Sequence, residues 1–474
     1  MSNSIKTRNL KKESRYLLFS NFVTFIITAT LLWFVLPVIV PITNKMGIRN
    51  TLFLNYICGF ISFCFMFLLE KYSVVISGLY EKNLINTLSV IYTFVVMCII
   101  NAILFMSFER FIFDVTLSFV NLVALIVFDI INERHIKNPK KFKKPKLLIL
   151  ASDEKNFFRM KRVKYGTLNA YDSWYEDIDA MNENELVEFI SKNLVYYDAL
   201  CILDGLNDFE YNLAVKTAVE MNKDLYIVPN MIDVGKTNSK IVRLDDVLTL
   251  YMPKNYVSKF SFFVKRIVDI LLSGFGVIVA FIPMVFIALA IKLTSPGPIF
   301  YKQERLTKNK KPFYIYKFRT MVPDAEKLTG PKFAEKDDPR ITKIGKILRS
   351  CRLDELPQLF NILKGDMTLV GPRPERPVFV EEFGKEIENY DYRFAVKAGL
   401  TSLSHVYGRY STYIHDRTYY DLFYITNYSL LLDLRIILLT TKTMLMKSAA
   451  EGEDDFKQKT VSSLNKEVQL SEKN

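Results

Sequence analysis

Four long apolar runs separated by short polar connectors make up the first part of the chain. They lie at 17–39, 51–69, 84–106 and 111–131, and each approaches the ~20 residues that a helix needs to cross a bilayer. The pattern therefore predicts four transmembrane helices in a domain at 1–135. Buried helices of a soluble core are a weaker alternative, because four such runs follow one another.

Lysine and arginine concentrate just before the first run and just after the fourth. The first group lies within residues 1–15, and the second begins at Arg134 and includes the lysines of 137–146. Because cytoplasmic connectors carry an excess of positive charge, both ends of this domain are predicted to be cytoplasmic. An even number of crossings is then required, and four satisfies this condition.

Short apolar runs separated by polar helical stretches begin at about residue 145. KLLIL (146–150), ALCILD (199–204) and DLYIVP (224–229) are typical of buried strands. Their alternation with helical stretches predicts a Rossmann-like α/β module with a parallel sheet at 145–255. ASDEKNF follows the first strand, where a dinucleotide site would have a glycine-rich turn. A regulatory or packing module is therefore favoured over a nucleotide-binding one.

A further apolar stretch at 267–293 is long enough to span a membrane. Basic residues flank it on both sides, and a charged segment follows it. Pro283 lies in its middle, where proline removes a backbone hydrogen bond and bends a helix. We therefore predict a re-entrant helix that bends at Pro283 and leaves the membrane on the side where it entered. A fifth full span is the alternative.

Two adjacent carboxylates, Asp354 and Glu355, stand at the predicted start of a short helix with an apolar face. Pro357 would occupy the first turn of that helix, and Asp354 would lie at or near its N-cap, where the helix dipole favours negative charge. A carboxylate pair, a helix N-terminus and nearby guanidinium groups predict a site for a metal-bound phosphate. The nearby arginines are Arg349, Arg352 and Arg373.

The composition agrees with a membrane protein. Half of the residues are hydrophobic, yet the net charge is +13, which suits basic connectors facing anionic lipid. A nucleic-acid binder is disfavoured, because the apolar residues come in long runs. Five cysteines without a CxxC pair predict neither a disulfide framework nor a zinc site. Residues 450–474 have little to bury and are predicted to be a disordered tail.

Several motifs in the second half occur together and in order. They are KRIVDI (265–270), SPGPIFYKQER (295–305), YKFRTM (316–321), DPRITKIGKILR (338–349), LDELPQLFNILKGDMTLVGPRPE (353–375) and DLFYITNYSLLLDL (421–434). With them the chain resembles the bacterial sugar transferase family, the polyprenyl-phosphate hexose-1-phosphate transferases or monotopic phosphoglycosyl transferases. The predicted spans and α/β module resemble its large-topology branch.

The resemblance implies transfer of a sugar 1-phosphate from a UDP-sugar to polyprenyl (undecaprenyl) phosphate, with release of UMP, as the first step of capsule or exopolysaccharide repeat-unit synthesis. Asp354 matches the family's nucleophile and would form a covalent phosphosugar intermediate. Glu355 matches the residue that helps to hold Mg²⁺, with Asp354 as its neighbour at the metal. A carboxylate can act as a nucleophile at neutral pH without a general base, and Mg²⁺ is usually bound by one or two carboxylates plus substrate phosphates.

The resemblance also implies phosphate-binding roles for Arg349 and Arg373, whose forked donors suit phosphoryl oxygens. Lys317 and Arg319 are candidates for the donor diphosphate or the acceptor phosphate. Arg352 carries less weight, because the family often has a small polar residue there. Each of these residues taken singly would more often be structural, and their joint occurrence favours the site.

Some positions depart from the family pattern. In VKAGLTSLSHVYGR (396–409), Ala398, Ser402 and His405 stand where the family commonly has proline, glycine and glutamine. Sugar specificity is therefore not carried over from relatives. The histidines His405 and His415 are too isolated to predict a metal site or a catalytic triad.

The sequence thus predicts a membrane protein with an α-helical N-terminal bundle, an α/β Rossmann-like module, and an α+β catalytic domain with a re-entrant helix at 259–449. We expect it in the bacterial plasma membrane, multi-pass, with the catalytic domain in the cytoplasm. A homodimer is compatible with this organisation. The alternatives are a catalytically silent scaffold of a polysaccharide assembly complex and a nucleotide-sugar-modifying enzyme that uses the α/β module.

Overall fold

The computed structural model describes Lys6, Thr7, Val23, Ile26, Thr30 and residues 48–69, 71, 79–104, 108–136, 142–143, 146–151, 172–177, 183–203, 206–229, 234, 239–244, 247–251, 258–323, 325, 338–387, 390–407 and 414–445. The chain divides into two compact units, Met1–Pro229 and Asn230–Asn474. The tail predicted at 450–474 lies outside the described residues. So does most of the first apolar run, 17–39, of which three described positions are helical.

The described part of the first unit contains three long helices. They are α1 (Ile48–Leu68), α2 (Leu79–Leu104) and α3 (Phe108–Ile136). In the described part of the chain, Tyr80–Ile100 within α2 and Phe260–Thr294 in the second unit are long and apolar enough to cross a membrane. Shorter apolar segments occur at Tyr56–Leu68 and Val115–Ile131. The four spans therefore stay a prediction, and the helical bundle is consistent with a membrane protein.

A buried polar cluster joins the three helices, which the sequence did not predict. Lys71 Nζ, just after α1, donates to Asn86 Oδ1 at 2.6 Å and lies 3.0 Å from Asp129 Oδ2. Asn86 Nδ2 donates to the same carboxylate oxygen at 2.7 Å. Because an unpaired charge among apolar helices is costly, this arrangement fixes how α2 and α3 face each other.

Two short basic segments on either side of the helices pair as parallel strands. β1 (Lys6–Thr7) precedes the first apolar run, and β2 (Phe142–Lys143) follows α3. The pairing brings together the two ends of the segment that the sequence predicts to cross the membrane four times.

The described residues of the first unit that follow β2 form four strands and two α-helices. The strands are β3 (Lys146–Ala151), β4 (Asp172–Asp177), β5 (Ala199–Ile202) and β6 (Asp224–Ile227), and the helices are α4 (Glu183–Asn193) and α5 (Asp208–Glu220). The strands make one fully parallel sheet with the order β4–β3–β5–β6. Alternate strand residues such as Leu148 and Leu200 pack against both helices, while Leu147 and Ala199 line the other face. The described residues thus form a parallel sheet with helices, and the Rossmann-like character and the bounds 145–255 stay predictions.

The second unit begins with an antiparallel hairpin, β7 (Lys240–Leu244) and β8 (Val247–Tyr251). The sequence places this segment in the α/β module at 145–255, whereas the hairpin lies in the second compact unit.

The other described α-helices and strands of the second unit follow the β7–β8 hairpin in chain order. They are α6 (Lys259–Thr294), β9 (Phe300–Leu306), β10 (Pro312–Phe318), α7 (Lys343–Ser350), α8 (Gln358–Lys364), β11 (Thr368–Val370), α9 (Pro377–Glu386), β12 (Gly399–Thr401), α10 (Leu403–Tyr407), α11 (Ile414–Thr426) and α12 (Leu430–Leu445). β9 and β10 form an antiparallel hairpin, and β11 pairs with β12 in parallel.

Polar side chains attach the first turns of α6 to the centre of this unit. Arg266 donates to the carbonyl oxygens of Ile362 at 2.6 Å and Leu363 at 2.8 Å, at the end of α8. A guanidinium suits these carbonyls, since the last carbonyls of a helix have no partner within it. Asp269 accepts from the Thr368 hydroxyl at 2.7 Å and the Leu369 amide at 3.0 Å, which attaches α6 to β11.

The later part of α6 packs against the same unit. Met284 and Ile291 share a buried cluster with Phe318 at the end of β10 and Leu348 of α7. The helix continues through Pro283 as one element of 36 residues. Its other side exposes large apolar side chains along most of its length. They include Phe275, Ile278, Phe281, Ile282, Phe286 and Leu293.

Candidate active site

The acidic pair lies in a short 3₁₀ turn, Leu353–Glu355, between α7 and α8. Arg352 precedes the turn with a left-handed backbone, φ 53° and ψ 22°. The sequence predicts Asp354 at or near the N-cap of the following helix; α8 begins at Gln358 with Pro357 as its N-cap, so Asp354 lies before the cap and is not the cap itself. The tight turn lets Leu353 and Leu356 pack against the cluster of Met284 and Ile291, so α6 directly supports the pair.

Asp354 is buried, with 8% of its surface exposed. Burial raises the pKa of its carboxyl group, the positive charges of Lys317 and Arg349 lower it, and the charge of Glu355 raises it further. Because the net shift is upward, the carboxylate is more basic than an exposed aspartate. Weak solvation and higher basicity both suit a carboxylate that attacks an electrophile.

Glu355 forms an ion pair with Lys317 of β10. Lys317 Nζ donates to Glu355 Oε1 at 2.7 Å, and the two side chains are 21% and 15% exposed. Burial alone would raise the pKa of Glu355, but Lys317 and Arg373 outweigh it and hold this pKa far below its usual value. Glu355 is therefore ionised throughout the neutral pH range, whereas the pKa of the neighbouring Asp354 is raised.

Arg349 reaches the pair from the last turn of α7. Its Nε donates to the Thr320 hydroxyl at 2.9 Å, which orients the guanidinium, and its charge acts on the Asp354 carboxyl. Arg373 lies on the loop after β11, and its Nη1 lies 2.8 Å from His405 Nε2. Its charge acts on Glu355. The structure thus brings Lys317, Arg349 and Arg373 together around the two carboxylates.

The loop that carries Arg373 is held by its backbone carbonyls. Pro372 O accepts from the Gly399 amide at 2.9 Å, and Arg373 O accepts from Arg393 Nη2 at 3.0 Å. Arg393 also pairs with Asp421 at 2.8 Å, and both side chains are almost fully buried. Because these hydrogen bonds fix the loop backbone, they also fix the position from which the Arg373 side chain extends.

Arg319 has a different setting from the other predicted residues. It is buried and donates to the carbonyl oxygens of Ser295 and Pro296, each at 2.8 Å, just after α6. Gly297 follows with φ +112°, and an added Cβ would collide with the Arg319 guanidinium. In this structure Arg319 therefore holds the turn between α6 and β9, rather than presenting these donors to a phosphate.

The donor set fits Mg²⁺ when substrate supplies the other ligands. Among the described residues no group of three or more His, Cys, Asp or Glu side chains is placed to hold a metal ion. Asp354 and Glu355 supply two carboxylates, and Mg²⁺ commonly binds one or two carboxylates together with phosphate oxygens and water. Oε1 of Glu355 is the carboxylate oxygen that pairs with Lys317.

Several residues of the site were not predicted from the sequence. Thr320 orients Arg349, and Arg393 holds the loop of Arg373. The sequence motifs indicate neither contact. The sequence predicts no metal site or catalytic triad at His405, and it does not predict that this residue lies between two arginines. Its place in the segment that departs from the family pattern was the signal that could have identified it.

The profile of the bacterial sugar transferase family matches residues 260–447, which contain every candidate site residue. A putative undecaprenyl-phosphate N-acetylgalactosaminyl 1-phosphate transferase of Bacillus subtilis is 51% identical over 131 residues, which cover 27% of this chain and 72% of that protein. The chain belongs to the bacterial sugar transferase family. Within the family it is also similar to a UDP-N-acetylgalactosamine-undecaprenyl-phosphate N-acetylgalactosaminephosphotransferase of Aeromonas hydrophila, at 39% identity over 215 residues.

A UDP-glucose:undecaprenyl-phosphate glucose-1-phosphate transferase of Xanthomonas campestris is 34% identical over 274 residues. The matched segments cover 45% of this chain and 51% of the Aeromonas protein, and 56% of each chain for the Xanthomonas protein. The chain thus spans about half the length of these two curated relatives. Their names contain two different sugars, so family membership leaves the sugar open.

Proposed function

We propose that this protein transfers a sugar 1-phosphate from a UDP-sugar to polyprenyl phosphate and releases UMP. The observation that carries the proposal is the buried Asp354 beside Glu355, which Lys317 keeps ionised. All three lie within the matched family region, and the names of relatives contain undecaprenyl phosphate.

The reaction divides into two displacements at one phosphorus atom. An Asp354 carboxylate oxygen attacks the sugar-bearing phosphorus, the bond to the UMP oxygen breaks, and an aspartyl phosphosugar forms. A phosphate oxygen of the polyprenyl phosphate then attacks the same phosphorus and frees the Asp354 carboxylate. No proton transfer by a side chain is needed, because a carboxylate, UMP and a lipid phosphate are the reacting anions.

The surrounding cations offset the charge on the transferring group. Arg349 and Arg373 suit this role, because a guanidinium forks toward two phosphoryl oxygens, while Lys317 acts as a compact charge. Glu355, with Asp354, would hold Mg²⁺, which when bound supplies further positive charge at the phosphate oxygens. Arg319 would contribute through the turn at Ser295 rather than by direct contact.

The membrane setting of the site is also part of the proposal. Arg266 near one end of α6 and Ile291 near the other contact the same compact unit, while the opposite side of the helix is apolar and exposed. A helix crossing the bilayer would carry parts of that unit through the membrane, so these contacts favour a re-entrant helix. It would hold Asp354 at the depth of a lipid phosphate.

The orientation follows from the ends of the first unit. Pairing of β1 with β2 supports an even number of crossings between them, and the basic residues around both strands favour the cytoplasmic side. The protein would then be multi-pass in the bacterial plasma membrane, with the catalytic unit cytoplasmic and able to start polysaccharide repeat units. The α/β module would be regulatory or a dimer interface.

Turnover by the purified full chain tests the proposal. The assay contains detergent, Mg²⁺, polyprenyl phosphate and one of several UDP-sugars, beginning with UDP-N-acetylgalactosamine, and UMP is measured. We expect UMP release that requires the lipid for turnover and is lost in Asp354→Asn. Lys310→Ala is the control, since Lys310 pairs with Asp391 at the exposed surface.

Two results would favour the alternatives. Absence of UMP with every UDP-hexose would favour a silent scaffold. A changed sugar nucleotide without UMP release would favour a nucleotide-sugar-modifying enzyme that uses the α/β module.

A further inference from the structure

One imidazole nitrogen lies between two arginine side chains beside the acidic pair. His405 Nε2 is 2.8 Å from Arg373 Nη1 and 3.1 Å from Arg352 Nη1. The three residues come from separate segments: Arg352 precedes the 3₁₀ turn, Arg373 follows β11, and His405 lies in α10. Only tertiary packing brings them together.

The two arginines determine the chemical state of the imidazole. A guanidinium has only donors, so both contacts require a lone pair on Nε2, and the ring proton is then on Nδ1. Burial, followed by the charges of Arg373 and Arg352, lowers the pKa of His405 well below its usual value. The nearest partner of Nδ1 is the Ser402 hydroxyl at 3.4 Å. His405 is thus a neutral acceptor shared by two cations.

The backbone of Arg352 is a second, independent observation. A left-handed conformation is unfavourable for a residue other than glycine, and Arg352 adopts it immediately before Leu353 and Asp354. Such strain persists where the surrounding structure requires it, and it is concentrated at functional sites. Here it lets the chain turn sharply into the acidic pair while the Arg352 side chain reaches His405.

Two guanidiniums that contact the same nitrogen atom repel each other, and the shared neutral acceptor offsets that repulsion. Each guanidinium is planar, so one hydrogen bond to a fixed nitrogen restricts the plane in which its other donors lie. The positive charge of Arg373 lowers the pKa of Glu355, and Arg352 immediately precedes the turn that carries Asp354 and Glu355, so both arginines lie close to the acidic pair. An anion with several oxygens is the ligand that such a pair fits.

We propose that His405 is a positioning residue that holds Arg352 and Arg373 side by side as a cradle for the diphosphate of the nucleotide donor. The proposal rests on the proposed function for the identity of that donor. It assigns Arg352 a substrate-binding role and His405 a role as neutral hydrogen-bond acceptor, without contact to the substrate.

The discriminating comparison is between two substitutions of similar size. His405→Gln keeps a neutral acceptor in the side chain, whereas His405→Met fills the volume without an effective one. Arg352→Ala removes one arm of the cradle, and Arg352→Ala with His405→Met tests whether the two residues act as a unit. Glu382→Gln, on the exposed face of α9, is the matched control.

Two readouts are measured on the full chain in detergent: KM and kcat for UMP release, and calorimetric binding of UDP. We expect His405→Met and Arg352→Ala to weaken UDP binding and raise KM by roughly 10-fold or more, as for a lost hydrogen bond to a charged group. His405→Gln should stay within roughly 3-fold of the wild type, and the double variant should be little worse than the worse single variant.

The outcomes separate the two proposals. If the wild type releases UMP but His405→Met and Arg352→Ala match it in both readouts, the cradle is refuted and the proposed function stands. If His405→Gln is as impaired as His405→Met, a neutral acceptor is not what matters and the inference is refuted. If the wild type releases no UMP but UDP binding follows the expected order, the proposed function fails and the cradle is supported. If His405→Met does not fold, Arg352→Ala and His405→Gln decide.

Discussion

Replacing Arg393 with methionine would remove the charge that balances the buried carboxylate of Asp421. Arg393 Nη2 lies 2.8 Å from Asp421 Oδ2 and 3.0 Å from the carbonyl oxygen of Arg373, and the paired side chains are 3% and 1% exposed. Breaking a buried ion pair by removing one partner costs about 3–5 kcal/mol. Because the same guanidinium holds the loop of Arg373, we expect this cost to appear as opening of that loop and of β11 and β12.

Amide hydrogen exchange measures this opening directly. The Gly371 amide donates to Thr401 O and the Gly399 amide donates to Pro372 O, both at 2.9 Å, so both amides report on the loop. A loss of about 3–5 kcal/mol corresponds to roughly 100- to 4000-fold faster exchange, since 1.4 kcal/mol is a factor of ten. Peptides covering these glycines would be followed by mass spectrometry in the full-length variant and the wild type.

Matched variants test the reasoning. Lys310→Ala breaks an ion pair with Asp391 whose side chains are 47% and 63% exposed, and surface pairs contribute about 0–1 kcal/mol, so exchange should change by less than roughly 5-fold. Arg393→Met combined with Asp421→Leu should exchange more slowly than Arg393→Met alone, because no unpaired charge is left buried. Exchange at wild-type rates in Arg393→Met would refute the stabilising role of the pair.

Three further predictions follow from the site and its setting. Because the folded-state pKa of Glu355 is lowered, its ionised form stabilises the fold above the unfolded pKa of about 4.3, and this contribution is lost as the pH falls through the folded-state pKa. In Lys317→Met the carboxyl group loses its partner and burial raises its pKa, so the acid limb of the pH–activity profile should move to higher pH. An unmoved acid limb would contradict the pairing. Gly297→Ala should destabilise the second unit through its positive φ and its clash with Arg319, measured as a lower thermal midpoint, and an unchanged midpoint would contradict that role. The exposed thiol of Cys351 should react with a membrane-impermeant maleimide in inside-out vesicles and not in intact cells, and labelling from outside would contradict the cytoplasmic orientation.

The fold was predictable where one local pattern decides it. Runs such as KLLIL have no polar face, so they predicted the strands of the parallel sheet, and their alternation with helices predicted its connections. The position of the N-cap near Asp354 was not predictable to the residue, because helix signals do not distinguish a first turn of α-helix from a 3₁₀ turn followed by a new helix. The hairpin at Lys240–Tyr251 falls within the bounds predicted for the α/β module, and it belongs to the second compact unit of the structure.

The site was predictable in its charged residues and not in their partners. Lys317, Arg349 and Arg373 do surround the carboxylates, as the motifs indicate. Long-range contacts decide whether an arginine binds backbone carbonyls or faces the reacting centre. Arg319, for example, donates to backbone carbonyl oxygens that precede it by more than twenty residues in the chain. His405 acquires its meaning only from two arginines distant in sequence.

The nucleophilic role of Asp354 is the central claim, and a single-turnover measurement tests it most directly. The full-length protein is mixed with Mg²⁺ and a UDP-sugar carrying a radioactive sugar, without lipid acceptor, and quenched in acid. The account predicts up to one equivalent of UMP and of protein-bound radioactive sugar phosphate, release of that label on adding polyprenyl phosphate, and no label in Asp354→Asn. UMP release that needs the lipid even in the first turnover, with no label on the wild-type protein, would contradict it.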